Sequence, residues 1–216
     1  MPRLYPILDT GVLARRRMDA VAAAQAMLEG GARILQFRHK GSFTRTAFEQ
    51  AEQVALMCRA CSALFVVNDR ADVAALLEAG LHVGQDDLPP EDARKLIGPA
   101  SLLGLSTHNE AQLRAASVQP VDYLAVGPIF ETATKESPDA VVGLKELRRL
   151  RPLDSRPLVA IGGITRRNAR AVLQAGASAV AVISDLCPDP CTPESIRARM
   201  EEWRRLLSEQ AGCSSA

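Results

Sequence analysis

Short apolar runs alternate along the whole chain with longer stretches in which apolar residues recur at helical spacing. In EGGARILQFR, EAGLHVGQ, PVDYLAVGP and QAGASAVAVIS, an Ala-rich helical stretch ends in Gly or a polar turn and an apolar strand follows. Between these copies lie further β-rich runs: LYPILD near residue 5, LFVVN at 64–68, LLGLS near 103 and PLVAIG near 160. The pattern predicts eight strands, and eight helices over about 18–29, 44–60, 70–79, 90–97, 108–117, 143–150, 165–175 and 193–208. Strict alternation of strand and helix means a parallel sheet, because antiparallel neighbours need no helical crossover. Eight βα units in 216 residues predict an α/β chain folded as a single (β/α)8 TIM barrel. The barrel is expected to take residues 1–216 as one domain, with a flexible C-terminal tail from about 209. An open doubly wound sheet is the alternative architecture, but the unit count and the lack of a GxGxxG opening the first helix favour the barrel.

Helix-start chemistry agrees with this layout. Thr107-x-x-Glu110 has capping-box form, Thr165 stands before a polar helical run as an N-cap, and Thr192-Pro193 puts proline where a first helical turn tolerates it.

Composition narrows the function classes. With 47% hydrophobic and 24% charged residues, the chain has the makeup of a globular protein and gives no support to disorder. A net charge of +1 argues against general nucleic-acid binding and leaves small anionic ligands held by placed groups. The opening MPRLYPILDT has no signal-peptide character, and no run approaches the roughly 18 apolar residues of a membrane span. Five cysteines without an export signal point to reduced thiols in the cytoplasm. Cys58 and Cys61 form a CxxC, and Cys187 and Cys191 a CxxxC, which raises a four-cysteine zinc site. In a barrel the first pair closes an outer helix and the second follows strand eight, a strand length of roughly 17 Å away, so one metal cannot bridge them.

Barrel enzymes place their chemistry at the C-terminal ends of strands. Read in order, those ends carry Gln36, Arg38 and Lys40; Asn68 and Asp69; Gln85, Asp86 and Asp87; Ser106; Gly127-Pro128-Ile129-Phe130 with Thr132, Thr134 and Lys135; Gly162-Gly163; and Ile183-Ser184. The glycines after strand seven and the short end after strand eight match the place where barrels hold phosphate on backbone N–H groups, Gly163 leaving the main chain open to an anion. Asp69 and Asp87 come from adjacent strand ends and suit a Mg²⁺ ion that shares its shell with substrate phosphates. Set against Arg38, Lys40 and Lys135, they describe a clamp for a diphosphate. The segment from Pro128 to Val142 is long for a barrel connection and reads as a lid. His82, taken to open a strand, and His108, taken to lie in a helix's first turn, are given structural roles.

The strings LQFRHK, VVNDRADVA, HVGQDDLP, GLSTH, VGPIFETATK, AIGGI and VISDL, spread over residues 4–186, resemble the thiamine-phosphate synthase family in order and spacing. His39 and Glu131 depart from the family's usual residues. The resemblance implies condensation of a hydroxymethylpyrimidine diphosphate with a thiazole phosphate, giving thiamine phosphate and diphosphate. It implies that Gln36, Arg38, Lys40, Asn68, Ser106 and Lys135 hold the pyrimidine diphosphate, with Arg38, Lys40, Ser106 and Lys135 serving catalysis. Asp69 and Asp87 would hold Mg²⁺, and Thr132, Thr134, Gly163, Ile183 and Ser184 the thiazole phosphate. The partners expected are these small molecules, with neither nucleic acid nor membrane; a homo-oligomer is compatible with the pattern. Two rival readings are the sister thiazole tautomerase, which would not need the full set of cations and carboxylates, and a non-catalytic phosphate-binding barrel, which would have lost the Asp pair.

Overall fold

The computed structural model describes residues 1–132 and 140–208. Its strands are β1 (Leu4–Asp9), β2 (Ile34–Arg38), β3 (Leu64–Asn68), β4 (Gly80–Val83), β5 (Leu103–Thr107), β6 (Tyr123–Val126), β7 (Leu158–Ala160) and β8 (Ala179–Val182). They form a closed eight-stranded barrel in sequence order, and the paired strands run parallel. The expected (β/α)8 fold is the observed one. Every residue of β1, β4, β6, β7 and β8 is buried. Burial on both faces explains why these strands read as continuous apolar runs instead of alternating ones.

The helices are α1 (Thr10–Arg15), α2 (Ala20–Glu29), α3 (Arg45–Ala60), α4 (Ala71–Leu76), α5 (Pro90–Ile97), α6 (Glu110–Ala116), α7 (Gly143–Leu150), α8 (Ala169–Gln174) and α9 (Pro193–Ser208). Helix α1 lies outside the expected set: six residues are too few to establish a period, and the helix is nucleated by Asp9, whose Oδ1 accepts the Val12 N–H at 2.8 Å. The capping box at Thr107 is corrected. Thr107 is the last residue of β5 and donates its hydroxyl to the Ala125 carbonyl, while Asn109 caps α6 by accepting from the Gln112 N–H. Thr165 is likewise no N-cap: α8 starts at Ala169, and the Asn168 side chain accepts the Thr165 N–H at 2.8 Å. The start at Thr192-Pro193 stands, with the Thr192 hydroxyl accepting from the Ser195 N–H.

By proximity the chain groups into two compact units, one spanning 66–181 with Met1, the other 2–65 together with residues from Val182 onward. In the second, α2 lies against α9, and Gly30 permits the contact: a Cβ there would meet the Met200 Cβ at 2.5 Å. Trp203 of α9 is fully buried and donates its indole N–H to Asp185, whose carbonyl also accepts from Arg199. Asp185 sits in the short 3-10 turn Ser184–Leu186 after β8, so α9 braces that turn. In the first unit, Arg156 precedes β7 and donates to the carbonyls of Ala116, Gln119 and Val121 while pairing with Asp154. That pairing holds the Asp154 carboxyl below its usual range. Arg149 of α7 pairs with Glu110 of α6 and Glu146 of α7, joining the two helices on the surface.

Candidate active site

The C-terminal ends of β1 and β2 form one cluster. Gln36 is buried within β2, and its amide donates to the Tyr5 hydroxyl at 3.1 Å. Arg38 ends β2 and forms an ion pair with the buried Asp9, the residue opposite it at the end of β1. Lys40 follows in an exposed loop, where the His39 imidazole Nδ1 shares a hydrogen bond with the Thr10 hydroxyl at 2.8 Å. Ile183 and Ser184 follow β8, half-buried and exposed respectively.

A second cluster lies at the ends of β3, β4 and β5. Register puts Asn68 opposite His82, and His82 opposite Gly104. The Asn68 side chain is buried, and its Nδ2 has no hydrogen-bond partner among the described residues. An unmet buried donor costs about 1–3 kcal/mol, a cost that a ligand oxygen would remove. Asp69 adopts a left-handed backbone, φ 63°, and its N–H donates to the His82 carbonyl. Asp87 lies in the loop after β4, where its Oδ2 accepts the Gly84 N–H at 2.7 Å. Both carboxylates are half-buried. Their oxygen donors suit a hard cation such as Mg²⁺. Among the described residues no group of three or more His, Cys, Asp or Glu side chains is assembled, so water and ligand oxygens would complete the shell.

His82 is the third residue of β4 and does not open the strand as expected. Its Nε2 shares a hydrogen bond with the Ser106 hydroxyl at 2.8 Å, and its Nδ1 one with the Tyr123 hydroxyl at 2.9 Å. The Tyr123 ring stacks on the imidazole and occupies the space above Gly104, where a Cβ would lie 2.0 Å from the phenol Cζ. Tyr123, His82 and Ser106 therefore form a fixed chain that orients the Ser106 hydroxyl. His108 precedes α6 instead of lying within it, and its ring Nδ1 meets the Gly127 carbonyl at 2.7 Å.

The glycines after β7 are required by local packing. Gly163 has φ 63°, and a Cβ on it would run into the Glu131 carbonyl at 2.5 Å and Phe130, so the space where a side chain would stand belongs to the loop after β6. The neck of that loop is tied by the Val142 N–H donating to the Pro128 carbonyl, and Thr132 is half-buried. Thr134, Lys135 and the expected lid across 133–139 lie outside the described residues. A shallow depression lined by Arg148, Arg151, Asp154 and Gln174 lies away from the strand C-terminal ends, and there Arg151 is engaged by the carbonyls of Asp154 and Arg156.

Residues 4–186 match the family model described as thiamine monophosphate synthase. The chain belongs to this family. The thiamine-phosphate synthase of Koribacter versatilis is 45% identical over 210 residues, 96% of each chain, and that of Chloroflexus aurantiacus 42% identical over 95% of this chain and 93% of its own. Among solved structures, the thiamine phosphate pyrophosphorylase from Pyrococcus furiosus superposes with a TM-score of 0.83 at 36% identity, covering 97% of both chains. As a member of the thiamine monophosphate synthase family the chain is an enzyme acting on small molecules, and none of its described helices is long and apolar enough to cross a membrane.

Sequence reasoning did not find Asp9, Tyr5, His82 and Tyr123 as partners of the site residues. Asp9 shares the signal that marked the others, a polar side chain at a strand's C-terminal end. The two tyrosines carry only the general signal of a buried hydroxyl that must find a partner.

Proposed function

We propose that this enzyme joins a hydroxymethylpyrimidine diphosphate to a thiazole phosphate, producing thiamine phosphate and diphosphate. Near-full-length identity to thiamine-phosphate synthases carries this reading. The unmet Asn68 amide supports it, being a donor where a substrate oxygen would stand. The bond between the pyrimidine methylene carbon and the diphosphate oxygen breaks, and its electron pair leaves with the diphosphate. The thiazole nitrogen then gives its lone pair to that carbon, so the positive charge passes to the thiazolium ring and no proton need be moved.

In this reading Arg38, Lys40 and Lys135 neutralise the leaving diphosphate, and Gln36, Asn68 and Ser106 hold the pyrimidine substrate. Asp69 and Asp87 would hold Mg²⁺, which when bound supplies positive charge to the departing oxygens. Thr132, Thr134, Gly163, Ile183 and Ser184 hold the thiazole phosphate. For Gly163 the contact is through its backbone N–H. The reading places the enzyme in the cytoplasm, in keeping with free thiols at Cys58, Cys61, Cys187 and Cys191.

The test is an assay of the purified protein with both substrates and MgCl₂, followed by chromatography and mass spectrometry for thiamine phosphate. Product should form, should disappear with excess chelator, and should fall by roughly 100-fold or more in Asp69→Ala and Asp87→Ala. No product at any Mg²⁺ concentration overturns the reading. Undiminished turnover in both variants removes the metal assignment alone.

A further inference from the structure

Asp9 takes no part in the reaction as proposed, yet it is 6% exposed and carries a carboxylate at the mouth end of β1. Both of its oxygens are used. Oδ1 accepts the Val12 N–H at 2.8 Å, and Oδ2 accepts from Nη1 of Arg38, the residue opposite it in the β1–β2 register. Gly11 leaves room for this arrangement, since a Cβ there would come within 3.3 Å of Oδ1. A carboxylate tied to the backbone of α1 cannot follow a wandering guanidinium, so it confines Arg38 to one orientation. Arginine otherwise surrenders considerable rotamer freedom each time it binds a ligand.

We infer that Asp9 is the positioning residue for Arg38: it holds the Nη1 edge of the guanidinium so that the remaining N–H donors are preset for the diphosphate of the pyrimidine substrate. The inference rests on the proposed role of Arg38. Small misplacements of a group that stabilises a transition state can cost about 100-fold in rate, which gives such a restraint its value. It differs from a purely structural ion pair in one measurable way: its effect must pass through Arg38 and must select one substrate over the other.

Asp9→Asn is the informative variant, because asparagine caps helices as well as aspartate and keeps an acceptor for the Val12 N–H. With Arg38→Ala and the double variant it completes a cycle, read by steady-state kinetics with each substrate varied in turn and by thermal unfolding. We expect Asp9→Asn to lower kcat/KM for the pyrimidine diphosphate by about 10–100-fold. KM for the thiazole phosphate should change less than twofold, and Asp9→Asn should have no further effect in the Arg38→Ala background. A loss below threefold, equal damage to both substrates, or independent effects of the two substitutions overturns the inference. If Asp9→Asn loses cooperative unfolding, Asp9→Ser, whose hydroxyl still caps Val12 but retains no charge for Arg38, carries the same comparison. Wild-type kinetics in Arg38→Ala would instead remove the assigned role of Arg38, leaving a failure of that reading distinguishable from a failure of this one.

Discussion

The substitution Gly104→Ala tests the seating of Tyr123 directly. A Cβ at this position would lie 2.0 Å from the Tyr123 Cζ and 2.4 Å from its hydroxyl. Comfortable contact between carbon atoms requires roughly 3.5–4.0 Å, so ring or strand must shift by about 1.5 Å. The ring cannot move outward cheaply, because it is fully buried and stacked on His82 with centroids 5.5 Å apart. Overpacking of this kind costs about 1–3 kcal/mol. If the hydroxyl is pulled from the His82 Nδ1, a buried polar group left unmet adds about 1–3 kcal/mol. The expected total is about 2–6 kcal/mol, read as a lower midpoint in urea unfolding with an unchanged slope. Tyr123→Phe, which keeps the ring and loses only the hydroxyl, should cost about 1–3 kcal/mol. Both variants should also lower kcat/KM for the pyrimidine diphosphate, since His82, the partner of the Ser106 hydroxyl, loses the tyrosine hydroxyl that fixes its other ring nitrogen. If Gly104→Ala unfolds within about 0.5 kcal/mol of wild type, a difference of the size seen for neutral surface changes, and its kinetics are unaltered, the packing argument is refuted.

Two further predictions concern groups that take no part in the reaction as proposed. Asp154 pairs with Arg156, and its folded carboxyl titrates below the usual value of 3.8. The pair's stabilisation is therefore complete above that value and lost as pH falls through the lower folded one. Asp154→Asn should cost about 1–3 kcal/mol in urea unfolding at pH 7, and the gap from wild type should narrow below about pH 4; an equal gap at pH 7 and pH 3 contradicts the assignment. Burial pushes the thiols of Cys58 and Cys187 up to about 12 while Cys61 is exposed. Iodoacetamide at about pH 8 should label Cys61 in the native protein, and Cys58 and Cys187 only after denaturation, as peptide mapping will show; equal labelling rates would contradict it.

The barrel was legible because its strands are buried on both faces and so stand out as unbroken apolar runs; β3 falls on the expected residues 64–68. The strand ends were legible for the same reason, since a polar residue closing such a run is conspicuous, as Asn68 and Arg38 are. Helix boundaries were read less well where the backbone chose among neighbouring cap residues. Asn109 prevailed over Thr107 because Thr107 was already committed to the β6 carbonyl of Ala125. What escaped the sequence is the set of bonds across strands. Tyr5 reaches Gln36, Asp9 reaches Arg38, and Tyr123 reaches Ser106 through His82. These partners meet only when register brings distant segments side by side, and no local spacing announces them. Gly163 shows a related limit: the glycine was recognised, but the backbone that needs its space comes from the loop after β6.

The bracing of the turn after β8 by α9 bears on the order in which the protein matures. Synthesis proceeds from the N-terminus, and early segments begin to fold while later ones are still being added. Trp203 and Arg199, which hold Asp185 and so steady the turn carrying Ser184, belong to the last helix of the described chain. A nascent chain can thus pair its strands while the Ser184 turn still lacks its support. The turn that carries Ser184 therefore gains its brace only after α9 has been made and has docked.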